Sequence, residues 1–353
     1  MQRRDLLALG AAAALPAGLV RAQAQPAGNP AEPALTSIGF ASCFDQVNAQ
    51  QELVEHLAVQ PFGLFLFGGD NVYYGGAARG TLAEAYARAA ALPGYTALRR
   101  KPHLAVWDDN DYAPGDAGAE FAGKQDSKDQ FLGFWGVPAD DPRRTRTGLY
   151  HARTYGPAGS RVQVILLDTR WFRSRIERKR VRMPGEGGYQ PDADPAKTML
   201  GEAQWAWLEE QLRAPADPRL VVSSIQVLAE GHSYERWGNL PTERERLVGL
   251  IHRTGANGVV LLSGDRHFAA LYRRKTGREG GAGYPLTELT SSGVTHFWPS
   301  PTDEPASSPE RVLDRNYATI DIDWTQRQVV LAARNLAGNL RIPSTLQLDQ
   351  LKA

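Results

Sequence analysis

Val259-Val260-Leu261-Leu262-Ser263-Gly264-Asp265-Arg266-His267 joins four consecutive aliphatic residues to a turn bearing a carboxylate, a guanidinium and an imidazole. Gly258–Leu262 is apolar without alternation, which predicts a strand buried on both faces. The polar group then stands at the strand's carboxyl end. The same arrangement recurs outward along the chain. Thr36–Ser42 reads as a strand ending in Ala41-Ser42-Cys43, and Phe62–Phe67 as one running into Gly68-Gly69-Asp70, with Tyr73 just beyond. His103–Trp107 runs into Asp108-Asp109-Asn110-Asp111, and Leu220–Ile225 leads to Ala229-Glu230-Gly231-His232. Arg161–Leu167 is a further apolar strand. Amphipathic stretches between them predict helices over Gln50–Val59, Leu82–Arg99, Glu202–Arg213 and Thr242–Arg253. Leu286–Leu289, Tyr317–Ile322 and Gln328–Ala333 follow one another with no helix between, and predict antiparallel sheet. The pattern is that of an α/β protein with a mixed sheet and outer helices.

With 42% hydrophobic and 22% charged residues in 353, the chain has the composition of a soluble globular protein. No internal repeat or long linker divides it, so residues 35–353 are expected to form one domain. Gly185–Pro195 and Ser300–Pro309, rich in Gly, Pro, Asp and Ser, read as surface loops. A formal net charge of +1 gives no general reason to expect nucleic acid or an anionic membrane as partner. Cys43 is the sole cysteine, so no internal disulfide can form. At the N-terminus, Arg3-Arg4 precedes an apolar run from Ala8 to Val20, and Ala22-Gln23-Ala24 resembles a cleavage site. Residues 1–24 therefore read as a signal peptide. The Arg pair points to the twin-arginine export machinery, an ordinary secretory signal being the alternative. The run falls short of the roughly 20 residues that span a bilayer, so no stable membrane anchor is expected. Residues 25–34 read as a flexible leader, and the mature chain as periplasmic or secreted.

Ligands of open α/β sheets bind beyond the carboxyl ends of strands, where loops converge. Five such ends here carry Cys, Asp, Asp, His and Asp/His. That is the inventory of a two-metal site, hard carboxylates and softer His or Cys dividing between ions. Singly, each residue has a plainer reading: a turn aspartate, a small core cysteine, a surface-loop histidine. It is their joint recurrence after apolar strands that points to a site.

Those residues carry a resemblance to the alkaline phosphatase D-like branch of the calcineurin-type metallophosphoesterases. It rests on Ala41-Ser42-Cys43, Gly69-Asp70-Asn71-Val72-Tyr73, Trp107-Asp108-Asp109, Leu167-Asp168-Thr169-Arg170, Leu200-Gly201-Glu202-Ala203-Gln204-Trp205, Ser263-Gly264-Asp265-Arg266-His267 and Thr290-Ser291-Ser292-Gly293. The resemblance implies a double β-sheet sandwich flanked by helices. It implies a phosphoric ester hydrolase in which metal-activated hydroxide attacks a phosphate ester. Asp70 would bridge two metals. Cys43, Tyr73 and His267 would complete a ferric site, and Asp109, His232 and Asp265 a calcium site, with zinc left open. Arg170 and Arg266 would meet the substrate, although Asp168 and Arg170 also read as a structural carboxylate–guanidinium pair. Residues 170–182, with seven basic side chains and one acidic, read as a basic rim or a solvated segment.

One position departs from the family's pattern. The acidic pair after Trp107 is followed by Asn110, where Trp-Asp-Asp-His is usual. Histidine can give a proton to a leaving group; asparagine donates a hydrogen bond only. Asp111 or His232 taking over that role is one expectation. Phosphodiesterase or phospholipase D-like activity, and a catalytically attenuated protein that binds a phosphorylated ligand, are the alternatives to monoester hydrolysis.

Overall fold

The computed structural model of the chain describes residues 32–353, apart from 49–50, 185, 276–280 and 299–306. The expected signal peptide, and the expected leader as far as residue 31, lie outside the described residues. Among the described residues, no helix is long and apolar enough to cross a membrane.

Two mixed sheets pack face to face. In the first, β1 (Ser37–Ala41), β2 (Leu64–Gly68) and β3 (His103–Val106) run parallel. An antiparallel meander of β11 (Asn316–Asp323), β12 (Gln328–Asn335) and β13 (Leu340–Gln347) joins them along β1. In the second, β5 (Val162–Leu166), β6 (Arg219–Ser223), β7 (Val259–Ser263) and β9 (Leu286–Ser291) are parallel. Antiparallel β4 (His151–Tyr155) closes one side, and β8 (Ala269–Arg274) with β10 (Ser307–Val312) the other.

Alternation along the strands explains the layers. Val162, Val164 and Leu166 of β5, Leu220 and Val222 of β6, and Val260 and Leu262 of β7 share a core with Ile38, Phe40 and Ile320 of the facing sheet. Their neighbours Ile165, Val221 and Leu261 turn outward against Trp205, Leu208, Leu247 and Ile251. Thus strands of the second sheet are buried on both faces, as the unbroken apolar run at Val259–Leu262 predicts.

The helices are α1 (Glu52–Val59), α2 (Gly76–Arg79), α3 (Leu82–Ala91), α4 (Pro93–Arg99), α5 (Asp109–Tyr112), α6 (Lys124–Phe134), α7 (Gly201–Arg213) and α8 (Pro241–Arg253). The helix expected over Leu82–Arg99 is two. Leu92 is extended (φ −78°, ψ 119°) because Pro93 disfavours helical backbone before it, and Pro93 starts α4 as its first residue. The loop expected over Ser300–Pro309 differs in its described part, where Ser307–Pro309 begin β10. Strands β4 and β13 escape sequence reading because both are edges, rich in polar residues; Pro343 sits in β13, where a missing N–H is tolerated.

Candidate metal centre

The parallel strands of both sheets send their carboxyl ends to one crevice, and the backbone there is unusual. Cys43, Asp70, Asp265 and His267 have φ of 67°, 52°, 70° and 57°; among the described residues only Arg327 is a further non-glycine with positive φ. Each such residue costs on the order of 1–3 kcal/mol and persists where surrounding structure dictates it. Four residues at three strand ends, those of β1, β2 and β7, have therefore turned left-handed to bring a ligand-type side chain inward. Close approach of the loops requires glycine: a Cβ on Gly264 would lie 2.5 Å from Ser42 Oγ, and one on Gly69 2.7 Å from Asp108 Cβ.

Asp70 is the hub. Its Oδ2 accepts from the Tyr73 hydroxyl at 3.0 Å, from Asn110 Nδ2 at 3.2 Å and from the Cys43 thiol at 3.6 Å. Its Oδ1 accepts from the Asn110 backbone N–H at 3.1 Å. Tyr73 Oη is also 3.4 Å from His267 Nε2. Two groups of ligand atoms share this carboxylate, each within 4.8 Å of one another: Cys43, Asp70 and His267, and Asp70, Asp108 and Asp109.

The electrostatics call for cations. Burial, then the charges of Asp108, Asp111 and Asp265, push the Asp70 carboxyl well above its usual range. Burial and Asp70 do the same to Asp109 and to the Cys43 thiol and Tyr73 phenol. Asp265 is raised by burial, against the pull of Arg266. His267 is driven well below its usual value, by burial and then His296. Asp108 Oδ2 and Asp265 Oδ2 are buried without a hydrogen-bond partner. Orphaned carboxylate oxygens beside neutral imidazole, thiol and phenol form a donor set that fits metal ions.

The expected site residues are unequally placed. Cys43, Asp70, Tyr73, Asp109 and His267 converge, with Asp265 close enough to raise its acidic neighbours. His232 lies beside them, but its Nδ1 accepts from Tyr234 N–H at 3.1 Å and its Nε2 meets Gln226 Oε1 at 2.8 Å. As placed it offers no lone pair to an ion. Asn110 Nδ2 reaches Asp109 Oδ1 at 3.2 Å as well as Asp70. Asp111 braces the loop, accepting from Asn71 Nδ2 at 2.5 Å and Asp108 N–H at 2.6 Å; burial raises it to about 7.

The Asp168–Arg170 side-chain pair does not form. Asp168 accepts from Trp107 Nε1 and from the backbone of Leu149, Arg170 and Trp171. Fully buried Arg170 instead binds Asp108 through Nε at 2.7 Å and through Nη2, and meets Glu235 at 2.5 Å. Arg173, also buried, meets Glu235 at 2.6 Å. These first two members of the basic run are thus interior, while Arg175, Arg178, Arg180 and Arg182 are exposed. Arg266 is 8% exposed, packed on the Tyr234 ring at 3.9 Å, its Nε unpartnered and Asp265 3.8 Å away. A cavity of ≈ 450 Å³ lies at the opposite ends of β5, β6 and β7. Arg219 there is tied to the carbonyls of Ala214 and Asn257, and no catalytic set adjoins it.

Sequence reasoning passed over Asp108, Glu235 and His296. Asp108 was in view beside Asp109. His296 follows the carboxyl end of β9, but a strand expected to be antiparallel directs attention elsewhere. In fact β9 runs parallel to β7 and opens on the same crevice.

A family model described as PhoD-like phosphatase matches residues 95–335. The chain is 27% identical over 164 residues to alkaline phosphatase D of Bacillus subtilis (strain 168), covering 41% of this chain and 26% of that protein. It thus spans about a quarter of the length of that curated relative. Among solved structures it is similar to PhoD, with TM-score 0.71 and 19% identity over 93% of this chain and 72% of the other. It is also similar to GAP50, the anchor in the inner membrane complex of Plasmodium, with TM-score 0.52 and 12% identity over 89% of each. At these identities the structural likeness is one of fold.

Proposed function

The chain belongs to the PhoD-like phosphatase family, and from that premise we propose that it is an exported, metal-dependent hydrolase of phosphate esters. The observation that carries the metal dependence is the shared carboxylate: Asp70 belongs to both ligand groups. Cys43, Asp70, Tyr73 and His267 would hold one ion. Asp70, Asp109 and Asp265, with Asp108 beside them, would hold the other, His232 joining only by releasing Gln226. Ferric ion with calcium suits these two sets, the thiolate and phenolate favouring the first and the carboxylates the second. When bound, the ions supply Lewis-acid charge to the phosphate and acidify a water.

The chain's own residues do the rest. Arg266, nearly buried and with its Nε unpartnered, would take a non-bridging phosphate oxygen. Arg170 meets no solvent; it holds Asp108 and approaches Asp109 at 3.9 Å, so its part is to position carboxylates, not to touch substrate. Asn110 orients Asp70 and Asp109 through its amide and has no proton to give. This favours esters with good leaving groups, and supports attenuated turnover with retained binding as the second reading.

Elemental analysis of protein exported by its own host, beside hydrolysis of p-nitrophenyl phosphate and bis-p-nitrophenyl phosphate, tests the proposal. Two ions per chain and turnover abolished by chelation are expected, and the faster ester decides between monoesterase and diesterase. Metal without turnover selects the binding reading. Folded protein that takes up no metal refutes both.

A further inference from the structure

We propose that residues 175–184, one arm of a hairpin beside the crevice, dock the protein on a bilayer surface of anionic phospholipid headgroups. The inference stands apart from the metal reading and needs no ion. The arm has a fixed base. Arg178 pairs with Tyr189 in an antiparallel bridge, Lys179 N–H donates to Gly188 O at 2.9 Å, and Gln190 N–H to Glu177 O at 3.0 Å. Arg182 Nε donates to Glu186 O at 2.6 Å, and Ile176 and Tyr189 are buried. Tyr189 N–H donates to Ser233 O at 2.8 Å, and a Cβ on Gly187 would lie 2.1 Å from that same oxygen. The hairpin is thus seated on the loop that carries His232 and Tyr234, and the chain enters it from Arg173, held by Glu235 at 2.6 Å.

Beyond this base the arm presents apolar and cationic side chains together. Val181 is 77% exposed and Met183 60%, with Pro184 exposed after them. Five basic side chains, Arg175, Arg178, Lys179, Arg180 and Arg182, stand against two acidic ones, Glu177 and Glu186. Only Lys179 is paired, with Glu186 at 3.2 Å; among the described residues the side chains of Arg175 and Arg180 make no ion pair or hydrogen bond. The whole chain carries a net charge of only +1, so this positive field belongs to the arm and not to the surface at large.

Guanidinium groups alone would suit any polyanion. The two apolar side chains decide for a bilayer, because their transfer from water needs an apolar phase, which the boundary between headgroups and acyl chains supplies and a soluble polyanion lacks. Cationic side chains lying within a Debye length of anionic headgroups each strengthen attachment by about fivefold. Apolar insertion and a polybasic patch together give the two signals that surface attachment takes, with no membrane-crossing helix required. Because the hairpin is bonded to the loop at the crevice, docking through it would hold the crevice close to the headgroups.

The test is co-sedimentation of the exported protein with vesicles of phosphatidylcholine, alone or mixed with phosphatidylglycerol, at low and at physiological ionic strength. Two double variants are compared with the wild type, Arg175→Gln with Arg180→Gln and Val181→Ser with Met183→Ser, each shown folded by near-ultraviolet circular dichroism. The wild type should bind the mixed vesicles, more weakly as salt rises, and leave phosphatidylcholine in solution. The arginine variant should partition about 25-fold less, about fivefold for each charge removed. The apolar variant should partition at least about tenfold less and keep its salt dependence. Failure of the folded wild type to bind mixed vesicles overturns the proposal. So does binding that both variants retain, which would be a grip of the crevice on headgroup phosphate. Binding to soluble polyphosphate that equals binding to vesicles, with the apolar variant unaffected, overturns the choice of a bilayer and makes the arm a polyanion site.

Discussion

Replacing Asn110 by histidine should raise turnover selectively on esters with poor leaving groups. Asn110 Nδ2 lies 3.2 Å from both Asp70 Oδ2 and Asp109 Oδ1. An imidazole titrates near neutrality, so in that place it can enter the reaction carrying a proton, which an asparagine amide cannot give. General acid assistance of this kind is worth about 10²–10⁴-fold where the departing alkoxide is basic. It is worth little for p-nitrophenolate, which leaves without a proton. The assay is kcat/KM for ribose 5-phosphate and for p-nitrophenyl phosphate, wild type against Asn110→His, with metal content measured on both. A gain of at least about tenfold on the sugar ester, with the aryl ester changed less than threefold, is the expected result. Equal gains on both esters would show that the substitution acts through metal or substrate binding. No gain on either, at equal metal content, would refute the assignment of Asn110 to the leaving-group side.

Three further outcomes follow from particular contacts. Glu235→Gln leaves Arg170 and Arg173, each at most 1% exposed, with one negative partner fewer. Urea unfolding should show a loss of about 3–5 kcal/mol, and a loss under 1 kcal/mol would mean that the buried quartet with Asp108 is not a unit. His151 is held down to about 3, by burial and then Arg143, so it stays neutral in the fold while the unfolded chain binds a proton below about 6.5. Stability is therefore lost as pH falls from that value, by about 2 kcal/mol at pH 5, and His151→Gln should remove that part of the acid sensitivity. Trp298, 41% exposed, stacks edge-on against Tyr234 at 6.0 Å, one ring beyond Arg266. Base stacking there predicts that Trp298→Ala lowers kcat/KM for adenosine 5′-monophosphate by about 5- to 150-fold, sparing ribose 5-phosphate, which loses the same primary hydroxyl. Equal losses on the two esters would count against a stacking role.

Strand periodicity and composition alone were enough to mark the buried parallel strands, the polar residues at their ends and most helices. The reason is local: unbroken apolar runs such as Phe65–Phe67 or Val259–Leu262 can be satisfied only between two layers, and a carboxylate directly after such a run must lie at the sheet's edge. Cys43, Asp70, Tyr73, Asp109 and His267 were legible for that reason. What stayed hidden depends on strand order, which no local window contains. His296 joins the crevice because β9 pairs parallel with β7, and an antiparallel β9 would have carried it to the other end. Arg170 pairs with Asp108 and Glu235, and not with its near neighbour Asp168, because β3, β5 and the loop after β6 meet only in the folded sandwich. Both ring nitrogens of His232 are committed, Nε2–H to Gln226 Oε1 and the Nδ1 lone pair to Tyr234 N–H, contacts set by the path of one loop. Residue type thus determined which side chains were able to bind a metal, and the pairing of distant strands decided which of them face one another with a lone pair to offer.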